Sequence, residues 1–133
     1  NLMTMEAIRG FEFVTFEQAN ADQEPSHATM APFTRNVFDP MDWTPMALDK
    51  VNSRIQRRTT SVFELATSIL FTSGIQHYAE TPEGMAKIPD YVRQFIKEIP
   101  NIWDDVKFID GYPGKFAVVA RKSGNRWYIA GIN

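Results

Sequence analysis

The spacing of apolar residues changes once along this chain, at Pro100, and that change limits the folds open to it. Before Pro100 the apolar stripes step by three and four. Val62, Leu65, Ala66, Ile69 and Leu70 predict a helix over about 60–73, and Tyr91, Val92, Phe95, Ile96 and Ile99 predict another that Pro100 stops. After Pro100 the runs shorten. Residues 106–109, 115–121 and 126–132 read as strands. Gly111-Tyr112-Pro113-Gly114 and Lys122-Ser123-Gly124-Asn125 are turn sequences between them. Taken alone, the chain is therefore α+β, with helices first and an antiparallel meander second, and a boundary near residue 101. Three strands cannot bury a face by themselves. The meander must pack on the helices or continue into further chain.

Local signals refine this outline. Ser61 and Glu64 have capping-box spacing, and Gly74 suits the left-handed position after a helix. Thr81-Pro82 opens a second helical stretch, since Pro is tolerated at a first helical position, and Pro89 restarts it. Residues 19–31 read as a loop, because Asn20, Asp22, Gln23, Pro25 and Ser26 are all turn formers. Pro32, Pro40 and Pro45 leave no room for a long helix, and 36–38 is expected as a short buried strand. Residues 47–59 read as a polar loop with a weak helical turn. His77 is expected near a helix end, and Trp127-Tyr128 inside a core. Residues 1–18 mix Phe, Met and Glu, and their periodicity chooses neither helix nor strand.

Composition excludes several functions. With 133 residues and a net charge of −2, the chain has room for one modest domain and no basic face for nucleic acid. There is no cysteine, which removes disulfides, thiolate metal sites and a cysteine nucleophile. No apolar stretch approaches the roughly 20 residues of a membrane span. No basic segment followed by an apolar core opens the chain, so no signal peptide is read. The opening Asn1-Leu2-Met3 is taken as internal to a longer protein. Walker, Rossmann, zinc and nucleophile-elbow motifs are lacking.

Three groups of residues carry chemical interest. Glu6 and Glu12 bracket Arg9 and Gly10 in Glu-Ala-Ile-Arg-Gly-Phe-Glu. Two carboxylates in an aromatic setting can divide roles, one raised in pKa as an acid and the other ionised. Gly10 permits a sharp turn or a close backbone approach, and Arg9 suits a bidentate oxygen contact. Two solvated glutamates with a surface arginine fit the same spacing. His27 is either a substrate contact or an exposed loop histidine. Asp42 and Trp43 have the aromatic-plus-carboxylate chemistry of a sugar site, but equally that of a capped turn with a core Trp. Arg54, Arg57 and Arg58 read as a solvated face.

Four strings then match one family in order. Residues 1–12 resemble the Glu-x-x-x-Gly-x-Glu segment of glycoside hydrolase family 97. Pro32-Phe33-Thr34-Arg35 and Pro40-Met41-Asp42-Trp43-Thr44-Pro45 resemble its Pro-Phe-Thr-Arg and Gly-Pro-Met-Asp-Tyr-Thr-Pro blocks. Residues 120–132 resemble the opening of its C-terminal β domain. Asp39, Trp43 and Met46 stand where Gly, Tyr and Gly are usual.

The resemblance implies an α/β chain: residues 1–100 as the C-terminal part of a (β/α)8 barrel, and residues 101–133 as the first strands of a C-terminal β domain. It implies an exo-acting α-glucosidase or α-galactosidase acting on oligosaccharides, periplasmic and assisted by calcium. Glu12 would be the general acid, Glu6 and Glu12 calcium ligands, and Arg9, His27, Asp42 and Trp43 substrate contacts. The base or nucleophile would lie before Asn1, in the rest of the catalytic domain, so the isolated chain is expected to be inactive. The alternative is a non-catalytic carbohydrate-binding or scaffold module of the same origin.

Overall fold

A computed structural model describes residues 10, 14–45, 48–49, 54–74 and 76–133. Helix α1 spans Gln18–Met30, a 3-10 turn follows at Ala31–Phe33, and α2 is one turn at Arg35–Phe38. Helix α3 covers Ser61–Leu70, α4 Pro82–Lys87 and α5 Asp90–Glu98. Strands β1 (Asp105–Tyr112), β2 (Phe116–Ser123) and β3 (Arg126–Ile132) follow.

Helix α1 replaces the expected loop at 19–31. Ala21, Glu24, Ala28 and Ala31 are buried at three- and four-residue steps, so a helical face exists, though it is built of small residues and one carboxylate. Pro25 sits inside this helix. It has no N–H to give the preceding turn. The Thr29 hydroxyl bonds back to the carbonyls of Pro25 and Ser26, at 3.0 Å each. Residues 36–38 form a helical turn and not a buried strand, with Val37 60% and Phe38 83% exposed.

Helix α3 is the expected one, shifted at both ends. Its cap is Thr60, whose hydroxyl accepts from Phe63 N at 3.1 Å. The Glu64 side chain is fully buried. The helix ends at Leu70, with Phe71 extended, so Gly74 is not its terminator. The buried face runs through Phe63, Thr67, Ile69 and Leu70, while Val62 is exposed. Helix α4 begins as expected, with the Thr81 hydroxyl accepting from Gly84 N at 3.0 Å. Pro89 precedes α5, and Tyr91 points to solvent. His77 is exposed in a non-helical stretch.

Between α2 and α3 an extended segment passes through Met41, Trp43 and Pro45. Trp43 pairs in parallel with Gln76, and Ala79 N donates to Pro45 O at 3.0 Å. The Trp43–Gln76 pair is a single parallel bridge between segments on either side of α3, with no strand ladder around it among the described residues.

The meander has the order β1-β2-β3, antiparallel throughout. Gly114 and Gly124 take φ of 75° and 57° in its two turns, which other residues adopt at a cost. One extra residue bulges β1 between Phe108 and Asp110. One core joins the two halves: Ala28, Met41, Trp43, Phe63, Leu70 and Phe71 pack with Ala117, Val119 and Ile132. Full burial of a side chain such as Leu70 stabilises by about 2 kcal/mol. Arg121, buried on β2, donates to the carbonyls of Ile69 (2.7 Å) and Leu70 (2.9 Å) at the end of α3. Trp127 is not in the core. It lies 41% exposed on the outer face, with the Lys107 ammonium 4.8 Å from its ring centre.

Candidate functional site

The expected centre lies mostly outside the described residues. Glu6, Arg9 and Glu12 fall there; Gly10, between them, does not. Gly10 is buried against the extended segment. A carbon added in place of its hydrogen would sit 3.0 Å from Thr44 O, 3.2 Å from Thr44 N and 3.5 Å from Trp43 Cδ2. The Gly10 carbonyl accepts from Val14 N at 3.3 Å. The expected close backbone approach at this glycine is therefore present, and its partner is the segment that carries Asp42 and Trp43.

Trp43 is 1% exposed. Its indole N–H donates to Thr67 Oγ1 at 3.1 Å, and its ring centre lies 4.5 Å from that of Phe71. A ring so enclosed offers no face to a sugar. Of the two chemistries left open for Trp43, the core one holds in this structure. Asp42 is half-buried beside it. Consecutive side chains of an extended segment point to opposite sides, so Asp42 faces away from that core. His27 is half-buried in the last turn of α1, and Ala28 next to it packs in the same core as Trp43.

A second cluster escaped sequence reading. Glu24 on α1 and Glu64 on α3 are both 0% exposed. Neither carboxylate oxygen of Glu24 has a hydrogen-bond partner among the described residues, whereas Glu64 accepts from the Thr59 hydroxyl. Burial pushes the Glu24 carboxyl up to about 9; the charge of Glu64 adds to the rise and Arg57 opposes it. Glu24 thus holds a proton at neutral pH. The signal for this pair was the stripe Ala21-Glu24-Ala28-Ala31, in which a glutamate occupies a core position.

Glu80 organises the loop after the extended segment. One oxygen accepts from Leu48 N (2.8 Å) and Asp49 N (2.9 Å), the other from Thr81 N (2.9 Å). Among the described residues no group of three or more His, Asp or Glu side chains is placed to hold a metal ion. No helix there is long and apolar enough to cross a membrane.

Comparison with known proteins adds to this geometry. Residues 102–133 match the family model described as "Glycosyl-hydrolase 97 C-terminal, oligomerisation". A probable retaining alpha-galactosidase of Streptomyces bingchenggensis is 40% identical over 131 residues, 98% of this chain and 19% of that protein. A retaining alpha-galactosidase of Bacteroides thetaiotaomicron is 31% identical over 140 residues, 99% of this chain and 21% of that protein. The chain thus spans about a fifth of the length of these relatives. The crystal structure of a beta-arabinopyranosidase superposes with a TM-score of 0.86 at 35% identity, covering 93% of this chain and 20% of that one. A family 97 enzyme from Pseudoalteromonas sp. strain K8, bound to acarbose, gives 0.70 at 34% identity, over 80% of this chain and 18% of that one.

Proposed function

Because the chain belongs to glycoside hydrolase family 97, we propose that it forms part of a retaining exo-α-galactosidase. The carrying observation is the 40% identity to a probable retaining alpha-galactosidase across 98% of the chain. Residues 1–100 are proposed as the last part of a (β/α)8 barrel. The parallel bridge between Trp43 and Gln76, on either side of α3, supports this, since parallel segments joined through a helix are the repeating element of a barrel. Residues 101–133 open the C-terminal β domain, and the description of the matched family model supports a role for them in assembly.

In this reading Glu12 protonates the leaving glycosidic oxygen, and His27, Asp42 and Arg9 contact sugar hydroxyls. Gly10 packs beside Thr44, toward the C-terminal end of the extended segment. That is the end at which barrels present their reacting groups. The partner nucleophile lies in the remainder of the catalytic domain. Glu6 and Glu12 would hold a calcium ion, for which hard carboxylate oxygens are suited ligands. Bound there, the ion supplies positive charge that helps hold and orient substrate oxygens. A periplasmic setting goes with the same family reading.

The test uses the full-length polypeptide. Glu12→Gln should cut turnover of an alkyl α-galactoside by about 1000-fold and that of a nitrophenyl α-galactoside far less, because a good leaving group needs no acid. Equal losses would remove Glu12 from the acid role. Running α-glucoside and β-arabinopyranoside beside α-galactoside decides the sugar. Turnover by the isolated 133-residue chain would overturn the expectation that it is inactive alone.

A further inference from the structure

Helix α1 is held to the segment before α3 by a row of contacts. Gln18 clasps the backbone of Gln56, donating to its carbonyl (3.1 Å) and accepting from its N–H (2.8 Å). Asp22 accepts from Arg58 Nε at 2.6 Å. These contacts are exposed, so solvent competes for them. At the far end of the helix Thr29 O accepts from Gly114 N at 3.3 Å, in the first turn of the meander. Glu24 lies between these ends. It is fully enclosed, and neither of its oxygens meets a donor among the described residues. The group it meets is Glu64 on α3, itself enclosed and accepting from the Thr59 hydroxyl. Two carboxylates offer each other only acceptors, so a bond between them needs a proton on one. The cations nearby have other partners. Arg57 donates to Ser61 Oγ at 3.0 Å, Arg58 pairs with Asp22, and Arg121 on the sheet side is held by the carbonyls of Ile69 and Leu70. Arg57 favours the charged form of Glu24, but less strongly than burial and Glu64 oppose it.

We propose that Glu24 and Glu64 form a proton-dependent latch that closes α1 onto α3 in acid and loosens as pH rises. With its proton, Glu24 is neutral and donates to the Glu64 carboxylate. Without it, two like charges face each other in a core sealed from water, and α1 has to open before Glu24 can be hydrated. The closed helix keeps the proton up to about pH 9, whereas the opened helix releases it near the ordinary 4.5. Between those values the closed state binds one proton more than the open one. Opening of α1 therefore grows about 10-fold per pH unit across that window and levels off above it. The exposed contacts of Gln18 and Asp22 carry no such dependence there, because neither gains or loses a proton on opening in that range.

The experiment follows backbone amide exchange in the full-length polypeptide, corrected for the intrinsic pH dependence of exchange. Helix α5, which buries no whole residue and opens by its own fraying, is the internal reference. In wild type the opening constant of α1 should rise about 10-fold per pH unit between 4.5 and about 9, while that of α5 stays level. Glu24→Gln keeps a donor for Glu64 and has no proton to lose, so α1 should become independent of pH. Glu64→Gln removes the facing charge, so opening of α1 should level off at a lower pH than in wild type. A wild-type α1 without a slope, a slope that survives Glu24→Gln, or one shared equally by α5 overturns the latch. Should Glu24→Gln fail to fold, Glu64→Gln decides: a lowered levelling point upholds the latch, and an unmoved one refutes it.

Discussion

The helical region up to Ile99 and the meander from Asp105 are held by different kinds of contact. In the meander, neighbours in space are near in sequence: two ladders, each closed by a tight turn. In the helical region the deciding bonds join distant residues. Trp43 reaches Thr67, and Glu80 holds Leu48 and Asp49. Closing longer loops costs more chain entropy, and the buried polar groups at their ends must then be matched. The meander is thus specified locally and the helical region by a few long-range polar bonds. The two meet where Arg121 holds the end of α3.

That junction is where the contrast is easiest to break. Arg121→Met should cost about 3 kcal/mol, since it strips the donor from two buried carbonyls. In urea unfolding of the full-length polypeptide, the transition should move to lower concentration. An unmoved midpoint would show that the sheet needs no such tie.

The next effect lies inside the helical region. Glu24 binds its proton more tightly folded, near pH 9, than at its ordinary 4.5. The folded state therefore carries more protons than the unfolded one between those values. Stability from this group is full at and below about pH 4.5 and falls as pH rises toward 9. Glu24→Gln should flatten that slope and stabilise on the order of 2 kcal/mol at pH 7. A slope left unchanged in thermal melts across pH would show that Glu24 does not set it.

Smaller still are the local caps. Thr60→Ala and Thr81→Ala should each cost about 1 kcal/mol, additively, because each removes one bond to a helix start. Chemical denaturation of the single and double variants checks this. Least affected should be Ile129→Lys on the outer sheet face, within about 0.5 kcal/mol in fold stability. Sedimentation of that variant sharpens the other half of the contrast: a shift toward monomer would place the assembly surface on the outer face of the meander.

Legibility in the sequence followed the same division. The three strands and both turns were readable because period two and glycine punctuation act within a few residues. Helix α1 was not, because its inward stripe is Ala21, Glu24, Ala28 and Ala31, with Pro25 in the middle and turn formers outside. Residues 36–38 looked like a strand from their apolar pair, yet Val37 and Phe38 face solvent. The Glu24–Glu64 pair joins residues forty positions apart, which no spacing rule connects. Gly10 was legible as a close approach, but its partner Thr44 was not. The sequence around Trp43 fits both a sugar site and a core, and only burial separates those chemistries.

The bulge in β1 has a consequence for how its length can drift. Phe108 and Gly111 both meet the ring of Phe33, although an odd number of steps apart they would take opposite sides of an unbroken strand. The extra residue absorbs that mismatch. Losing either Ile109 or Asp110 would leave Phe108 and Gly111 on the same side, with a plain ladder between them. Losing both would turn one of them outward. The strand therefore carries a single residue of slack, and β1 can shorten by one across generations without rearranging the core beneath it.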